Sequence, residues 1–482
     1  MKKRELLLIV IVCLSYLLFA NILQDAEQGA RVINQKIEAS GLEWKAGPNA
    51  GFLNPFIESI NDIDTFYEGL CGHEPLEEEL KRYLPGQPKQ RMNTTFDLFL
   101  SSFILLEPET IEGKSFYRLE PVRNQAPYGS CWAFSTLASF ESARAVQLLG
   151  KTENGNKDNA LDYSERWVGY HNYDMVGGTN QDQDRMNGGS FLFAMYNGIR
   201  YGMIDESAAP YSQIVASMGE EKIPLPTSAY GAPRTHSNKT VMIPKAGGSS
   251  FNAQEIGYSY DEYIHMIKTA VQQYGSVSVS MTVPADFRSY KRGIYTPTVD
   301  DILGGHAITL IGWADVDELD TITLSAKTNP DAKTVLDEEI STYSYYDATT
   351  QTTKTTDLCW ILKNSWGYNW GDGGYFVMPA ISEEEYNALQ TAEAKQSGES
   401  DAIGYWQIEN SMMSVPLFDE YEKHAGDELD INGDGTVSEE DFKALIDKIG
   451  ETDVALGDLA YPKDRKITDD DVAAWIYLYN KQ

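Results

Sequence analysis

Cysteine is scarce in this sequence, with only Cys13, Cys71, Cys131 and Cys359 among 482 residues. A disulfide framework is thereby excluded as the source of stability, and an apolar core has to supply it. Basic residues are few as well. With 39 lysines and arginines against 72 aspartates and glutamates, the net charge is -33, which repels nucleic-acid phosphates and an anionic membrane surface. Apolar residues are not lacking: 42% hydrophobic and 11% aromatic content, with 29 tyrosines, excludes a chain that stays disordered. The length allows two or three folded units.

Met1-Lys2-Lys3-Arg4 places positive charge before an apolar run from Leu6 to Ala20, the pattern of an export signal. Ile22 and Leu23 extend that run to about the lower limit for a membrane span. Residues 1–23 are therefore expected to be a cleaved signal or a retained anchor, with the rest of the chain extracellular or at the cell surface. Residues 24–92 alternate short helical patterns with breakers such as Ala46-Gly47-Pro48-Asn49 and read as a small separate segment.

Further along, Cys131 to Leu149 is rich in Ala and Leu, lacks Pro and Gly, and stops at Gly150, which predicts a helix. Val277 to Val283, Ala307 to Trp313 and Trp360 to Lys363 are β-branched and aromatic, which predicts strands. The fold class expected is α+β. Residues 223–250 read as a surface loop. Within 314–358, Tyr343, Tyr345 and the Thr-rich run after Asp347 predict a hairpin, expected to be an insertion rather than a core element.

The chemistry concentrates in three places. Asn124-Gln125-Ala126-Pro127-Tyr128-Gly129-Ser130-Cys131-Trp132-Ala133-Phe134-Ser135 resembles the active-site segment of the papain-like cysteine peptidases. Gly304-Gly305-His306-Ala307 resembles their histidine segment. Lys363-Asn364-Ser365-Trp366-Gly367, with Trp370-Gly371 and Gly373-Gly374-Tyr375, resembles their asparagine segment. The resemblance covers roughly residues 94–410, in the right order, and implies a two-lobed fold with a helical and a β-rich lobe. It also implies roles: Cys131 as nucleophile, His306 as base, Asn364 as the group that orients the imidazole, Trp366 as its shield, and Gln125 as an oxyanion donor. The physics agrees, because a cysteine at a helix N-terminus beside an imidazolium can titrate as low as about 3 to 4. Donors aimed at developing charge are often worth a few kcal/mol each.

By the same resemblance, Asn187-Gly188-Gly189-Ser190-Phe191 is the strand that pairs with substrate backbone, where glycines allow close approach. Phe191, Ser280, Gly304 and Ala307 are implied to line the pocket for the second residue before the cut. Taken singly, each of these residues has a bland reading: a lone Cys is usually a small core hydrophobe, and Asn187 to Phe191 could be a turn. Cys359 keeps that reading, and His171, His236, His265 and His424 have no context that assigns them a role. The sequence departs from the family in having Tyr128 where a disulfide-forming cysteine is usual. Cys131 also stands 175 and 233 residues from His306 and Asn364, against roughly 130 to 150 in the family. The loops at 223–250 and 314–358 account for the excess.

Thr94-Thr95-Phe96-Asp97-Leu98 resembles the start of the mature enzyme in bacterial and archaeal members, and Trp44-Lys45-Ala46-Gly47 echoes their short propeptides. Residues 24–92 are then a propeptide that blocks the cleft or an ordinary N-terminal subdomain, and 93–415 is the peptidase domain. The end of the chain, 416–482, is more acidic per residue than the rest. Asp430-Ile431-Asn432-Gly433-Asp434-Gly435-Thr436-Val437-Ser438-Glu439-Glu440-Asp441 puts oxygen ligands at loop positions 1, 3, 5, 9 and 12, with Gly at 6 and Thr436 offering its carbonyl. With a helix from Phe442 to Ile449, this resembles a dockerin, a small all-α, calcium-binding module that plugs enzymes into scaffold proteins through cohesin domains. The second copy, ending in Ile467-Thr468-Asp469-Asp470-Asp471, has Ala460 and Pro462 where ligands belong.

The reading is an exported cysteine endopeptidase that takes polypeptide substrates, needs no catalytic cofactor, and docks through calcium to a cohesin-like partner. Its rivals are a catalytically idle peptide-binding protein on the same scaffold and a structural scaffold component.

Overall fold

The structure is a computed structural model that describes residues 24–49 except 25, 67–73 except 69, 100–111, 114–148, 161–172, 186–214, 225–247, 252–326, 329–389, 404–418, 431 and 439–449. These fall into two compact units. The first takes the described residues up to 148, with 187–191 and 241–415; the second takes 161–172, 186, 192–240 and those from 416 on. The expected signal or anchor at 1–23, the start of the mature enzyme near Asn93, and Asp430, Asn432, Asp434, Thr436 and Ser438 of the calcium loop lie outside the described residues. Among the described residues no helix is long and apolar enough to cross a membrane.

The first unit is built on a helix, α1 (Cys131–Gln147), and a second, α2 (Tyr260–Tyr274), against an antiparallel sheet. Its central strands are β1 (Val277–Pro284), β2 (Ile302–Asp315), β3 (Leu358–Lys363) and β4 (Tyr375–Pro379), paired in the order β4-β3-β2-β1. All six side chains of β3 and all five of β4 are buried, as expected of strands covered on both faces. Nearly every residue from Cys131 to Ala143 is buried too, so α1 is a core helix rather than an amphipathic one. Its small polar residues let it approach the sheet closely. Ser135 Oγ donates to Ile308 O at 2.7 Å, and Ser278 Oγ donates to Ser135 O at 2.8 Å, so the start of α1 is pinned to β1 and β2.

The strands are longer than the sequence pattern predicts, because pairing extends β2 through the polar residues on both sides of its apolar centre. The hairpin forms as expected, with Tyr343–Asp347 antiparallel to Thr352–Thr356. Its expected place outside the core is wrong. Tyr343, Tyr345, Asp347, Lys354 and Thr356 alternate inward and are buried. Lys354 Nζ stands 2.8 Å from Asp347 and 2.9 Å from Glu385, so the inward charges are paired rather than orphaned. The stretch 223–250 is likewise more than loop: it carries the strand Lys239–Ile243, with Ile243 and Ala246 buried.

In the second unit the helix Glu165–Tyr170 is capped by Ser164, whose Oγ accepts from Trp167 N at 3.0 Å. His171 follows it, buried between Trp167 at 4.5 Å and Tyr201 at 4.3 Å. A helix runs over Glu439–Asp447, starting three residues before the expected Phe442 and so taking in the last positions of the acidic loop, where Asp441 is buried.

Candidate active site

All four residues singled out for catalysis lie in the first unit, and the topology brings them together. Cys131 is the first residue of α1, whose N-terminus Ser130 does not cap through its side chain, so the helix dipole is directed at the thiol. The thiol also meets the backbone N–H of Ala307. His306 is the neighbour of Ala307 on β2, opposite Met281 of β1. Asn364 follows the last residue of β3, where Lys363 pairs with Thr309, so the antiparallel register carries it toward His306.

His306 Nε2 donates to Asn364 Oδ1 at 2.8 Å. The same oxygen accepts the Ser365 N–H at 2.8 Å, which fixes the carboxamide with its oxygen toward the ring. Trp366 packs on the imidazole, its ring 4.8 Å away and only 5% exposed. Gln125 is fully buried. Its Oε1 accepts from Ser365 Oγ at 2.6 Å, which turns Nε2 outward as a donor. Ser365 carries no signal of that role in the sequence beyond its place between two motif residues.

The Gln125 amide nitrogen donates to two peptide carbonyls of this chain, Tyr128 O at 2.9 Å and Leu70 O at 2.9 Å. Residues 67, 68 and 70–73 lie across the site. Tyr67 packs on Trp366 at 5.0 Å, the Gly72 N–H reaches the Cys131 thiol, and His73 N donates to Gly305 O at 3.1 Å. Gly72 O accepts the Gly189 N–H at 2.9 Å, and His73 forms a parallel bridge with Gly189. Gly188 sits at φ 89° and bonds Gly129 O at 3.1 Å, which aims the glycine strand at the segment. Phe191 stacks on His73 at 4.9 Å, Gly304 faces Cys71, and Ser190 is buried beside them in sequence. Ser280 is placed differently: its N–H and C=O both bond Ser411 Oγ. Gly72 has no room for a side chain, since a Cβ there would stand 1.8 Å from Gly129 O. A glycine behind a cysteine in a short apolar segment is the signal that could have found this contact.

In this covered site both shifts run against the expected thiolate–imidazolium pair. Burial pushes the Cys131 thiol up to about 11, against the N–H of Ala307 and others that lower it, and drives His306 down to about 4, against its bond to Asn364. Desolvation disfavours the charged form of each group. His306 Nδ1 has no hydrogen bond among the described residues.

The sequence profile of the papain family cysteine proteases matches residues 108–395, which include Gln125, Cys131, His306 and Asn364. The chain is 24% identical over 283 residues to the thiol protease aleurain-like of Arabidopsis thaliana, covering 56% of this chain and 55% of that protein. With pro-cathepsin H of Mus musculus it shares 24% over 265 residues, 54% of this chain and 56% of the other. The chain thus spans about half the length of these curated relatives. Among solved structures, digestive procathepsin L 3 of Tenebrio molitor aligns with a TM-score of 0.48 at 16% identity, over 83% of this chain and 92% of that one. The profile, matched over more than half the sequence and through every catalytic position, places this chain in the papain family of cysteine proteases.

Proposed function

We propose that the chain is an exported cysteine endopeptidase, made latent by its N-terminal segment and docked to a scaffold or cell-surface assembly by a calcium-dependent C-terminal module. The observation that carries the catalytic part is Gln125 Nε2 donating to the peptide carbonyl of Leu70, with His306 already oriented by Asn364. A substrate carbonyl in the place of Leu70 O meets a nucleophile at a helix N-terminus and an oxyanion donor at once. His306 takes the thiol proton, returns it to the leaving amine, and water then hydrolyses the acyl-enzyme.

Latency is supported by the backbone bonds that hold 70–73 across the site and by the pairing of Trp44–Ala46 with Tyr290–Gly293. The direction of the segment matters, because a parallel bridge to Gly189 presents its peptide groups in one orientation only. Docking is supported by the loop chemistry alone: Asp430, Asn432, Asp434, Ser438 and Asp441 are hard oxygen donors at calcium-loop spacing, with Thr436 adding a carbonyl. The acidic tail would otherwise be a solvated surface.

The test of activity is hydrolysis of an unfolded polypeptide by the reduced chain after its N-terminal segment is removed, compared with Cys131→Ala. Wild type should cleave and the variant should not. Equal cleavage by both would sink the assignment, as would inactivity of reduced, processed wild type.

A further inference from the structure

A cavity of about 600 Å³ opens where the N-terminal strand Trp44–Ala46 meets the peptidase domain, inside the ~300–1,000 Å³ range of small-molecule sites. One wall is Lys45 and Ala46 of that strand; the rest, including Lys291, Arg292, Lys333 and Asp372, belongs to the peptidase domain. Its charge runs against that of the whole chain. Lys45, Lys291, Arg292 and Lys333 line it against two carboxylates, Asp331 and Asp372, in a protein with 72 acidic and 39 basic residues. The backbone sets cation beside cation: Lys45 is the register partner of Arg292, so the two side chains leave the strand pair on one face about 5 Å apart at Cβ, which is unfavourable until an anion answers it. Arg292 is answered, with Nη2 donating to Asp337 at 2.5 Å and Nη1 to Thr334 O at 3.0 Å. Among the described residues none of Lys45, Lys291 and Lys333 has a carboxylate within ion-pair distance, although Lys45 and Lys333 feel Asp337 from farther off. The one hydrogen bond of the Lys291 ammonium among the described residues goes to Asn369 O at 3.3 Å. Lys291 is half-buried, its stem lies against Gly47, and burial pulls it down to about 8. An anion in the cavity would offset that desolvation.

We propose that this cavity binds a compact polyanion carrying several phosphate or sulfate groups, and that the bound anion fastens the N-terminal strand to the peptidase domain. The inference rests on the reading of residues 24–92 as an inhibitory segment. The donor set selects the ligand class. The one guanidinium in the lining is committed to Asp337 and Thr334 O, so no fork is left to grip a carboxylate; the three ammonium groups are point charges that suit the spread oxygens of phosphate or sulfate. Asp331 and Asp372 repel a small monoanion from part of the wall, so affinity is reserved for a ligand that touches several lysines at once. Lys45 belongs to the segment, whereas Lys291 and Lys333 belong to the domain. The ligand therefore makes contacts in the seated form that the released form does not offer, and its binding free energy adds to seating. Residues 67, 68 and 70–73 follow about twenty positions later and are kept at high effective concentration over Cys131 by that anchor.

Calorimetry on full-length Cys131→Ala, which cannot process itself, is the direct test, run without calcium and at fixed ionic strength with two probes, inorganic tripolyphosphate and sucrose octasulfate. At least one probe should bind as a single molecule per chain, and the tighter of the two names the group the cavity prefers. Adding Lys291→Ala with Lys333→Ala should weaken binding by at least about tenfold. Lys333 is exposed, so Lys333→Glu alone serves as a second variant, and it should weaken binding as well. On the full wild-type chain, saturating probe should slow alkylation of Cys131 by a thiolate-alkylating epoxide at least about fivefold, and it should leave the processed enzyme, which lacks Lys45, unchanged. Absence of saturable binding by both probes, or equal affinity in the lysine variants, overturns the site. Binding that leaves alkylation of the full chain unchanged overturns the fastening. The reading beneath it fails by a different result, seen with no probe present: equal alkylation of Cys131 before and after the segment is removed.

Discussion

At the scale of single residues, the site depends on which way one carboxamide faces. Gln125 is useful as an oxyanion donor only if Nε2 points at the substrate, and Ser365 Oγ holds Oε1 in the opposite direction at 2.6 Å. Gln125→Ala removes the donor outright, and kcat of the processed enzyme should fall by about 100-fold with little change in KM. Ser365→Ala leaves the donor but frees its rotation. The cost is one net hydrogen bond of about 1 kcal/mol, roughly a fivefold loss in kcat, again without a matching rise in KM. Steady-state kinetics on the two variants check both expectations. A Ser365→Ala enzyme whose KM rises while kcat holds would show that the serine contacts substrate instead of positioning Gln125.

At the scale of elements, the segment 67–73 is seated by backbone contacts that tolerate no added atoms. Gly72→Ala would put a methyl group 1.8 Å from Gly129 O, so the segment has to lift away. The full-length variant should react with a thiolate-alkylating epoxide at least about tenfold faster than wild type, the equivalent of ~1.4 kcal/mol of lost seating. Unchanged alkylation would mean that the segment does not guard Cys131. Acid should loosen the same element. His73 is driven down to about 3 by burial and by His306, and His306 is driven down to about 4 by burial. The seated form therefore binds fewer protons than the open form, in which imidazole titrates near ~6.5. Seating is at full strength above that value and weakens as pH falls toward 4, with a slope approaching ~1.4 kcal/mol per pH unit for each histidine. Alkylation of Cys131 measured from pH 7 to 4, corrected with a processed sample, should accelerate for wild type and accelerate less steeply for His73→Gln. Much of this framework was legible in the sequence: α1, the strands and the Gln125, Cys131, His306 and Asn364 contexts all stand where local pattern and motif put them. What was not legible depends on contacts remote in sequence. The inward face of Tyr343, Tyr345 and Lys354 looks polar and Thr-rich until Asp347 and Glu385 pair its lysine, and the role of Leu70 to His73 exists only against Gly129, Gly189 and Gly305.

At the scale of the whole molecule, a net charge of -33 has to be managed, and the loop proposed to bind calcium concentrates part of it in twelve residues. Asp430, Asp434 and Asp441 repel one another until a divalent cation neutralises them, so on this reading the binding energy of the ion becomes folding energy for residues 416–482. The second loop lacks two donors, because Ala460 and Pro462 stand at ligand positions, which leaves one tight site rather than two. Titration calorimetry on the full chain should accordingly return a single high-affinity calcium, abolished by Asp430→Ala with Asp434→Ala. The catalytic residues stand elsewhere in the sequence, with Cys131 on α1, His306 on β2 and Asn364 just after β3. Chelation should therefore leave thiol-dependent hydrolysis by the processed enzyme within about twofold of its value with calcium, while capture by an immobilised cohesin domain is lost. The two losses are separable by design: Cys131→Ala should abolish hydrolysis and keep calcium-dependent capture. A double aspartate variant that is captured as well as wild type without calcium would refute docking through this loop and leave the tail as a solvated acidic surface.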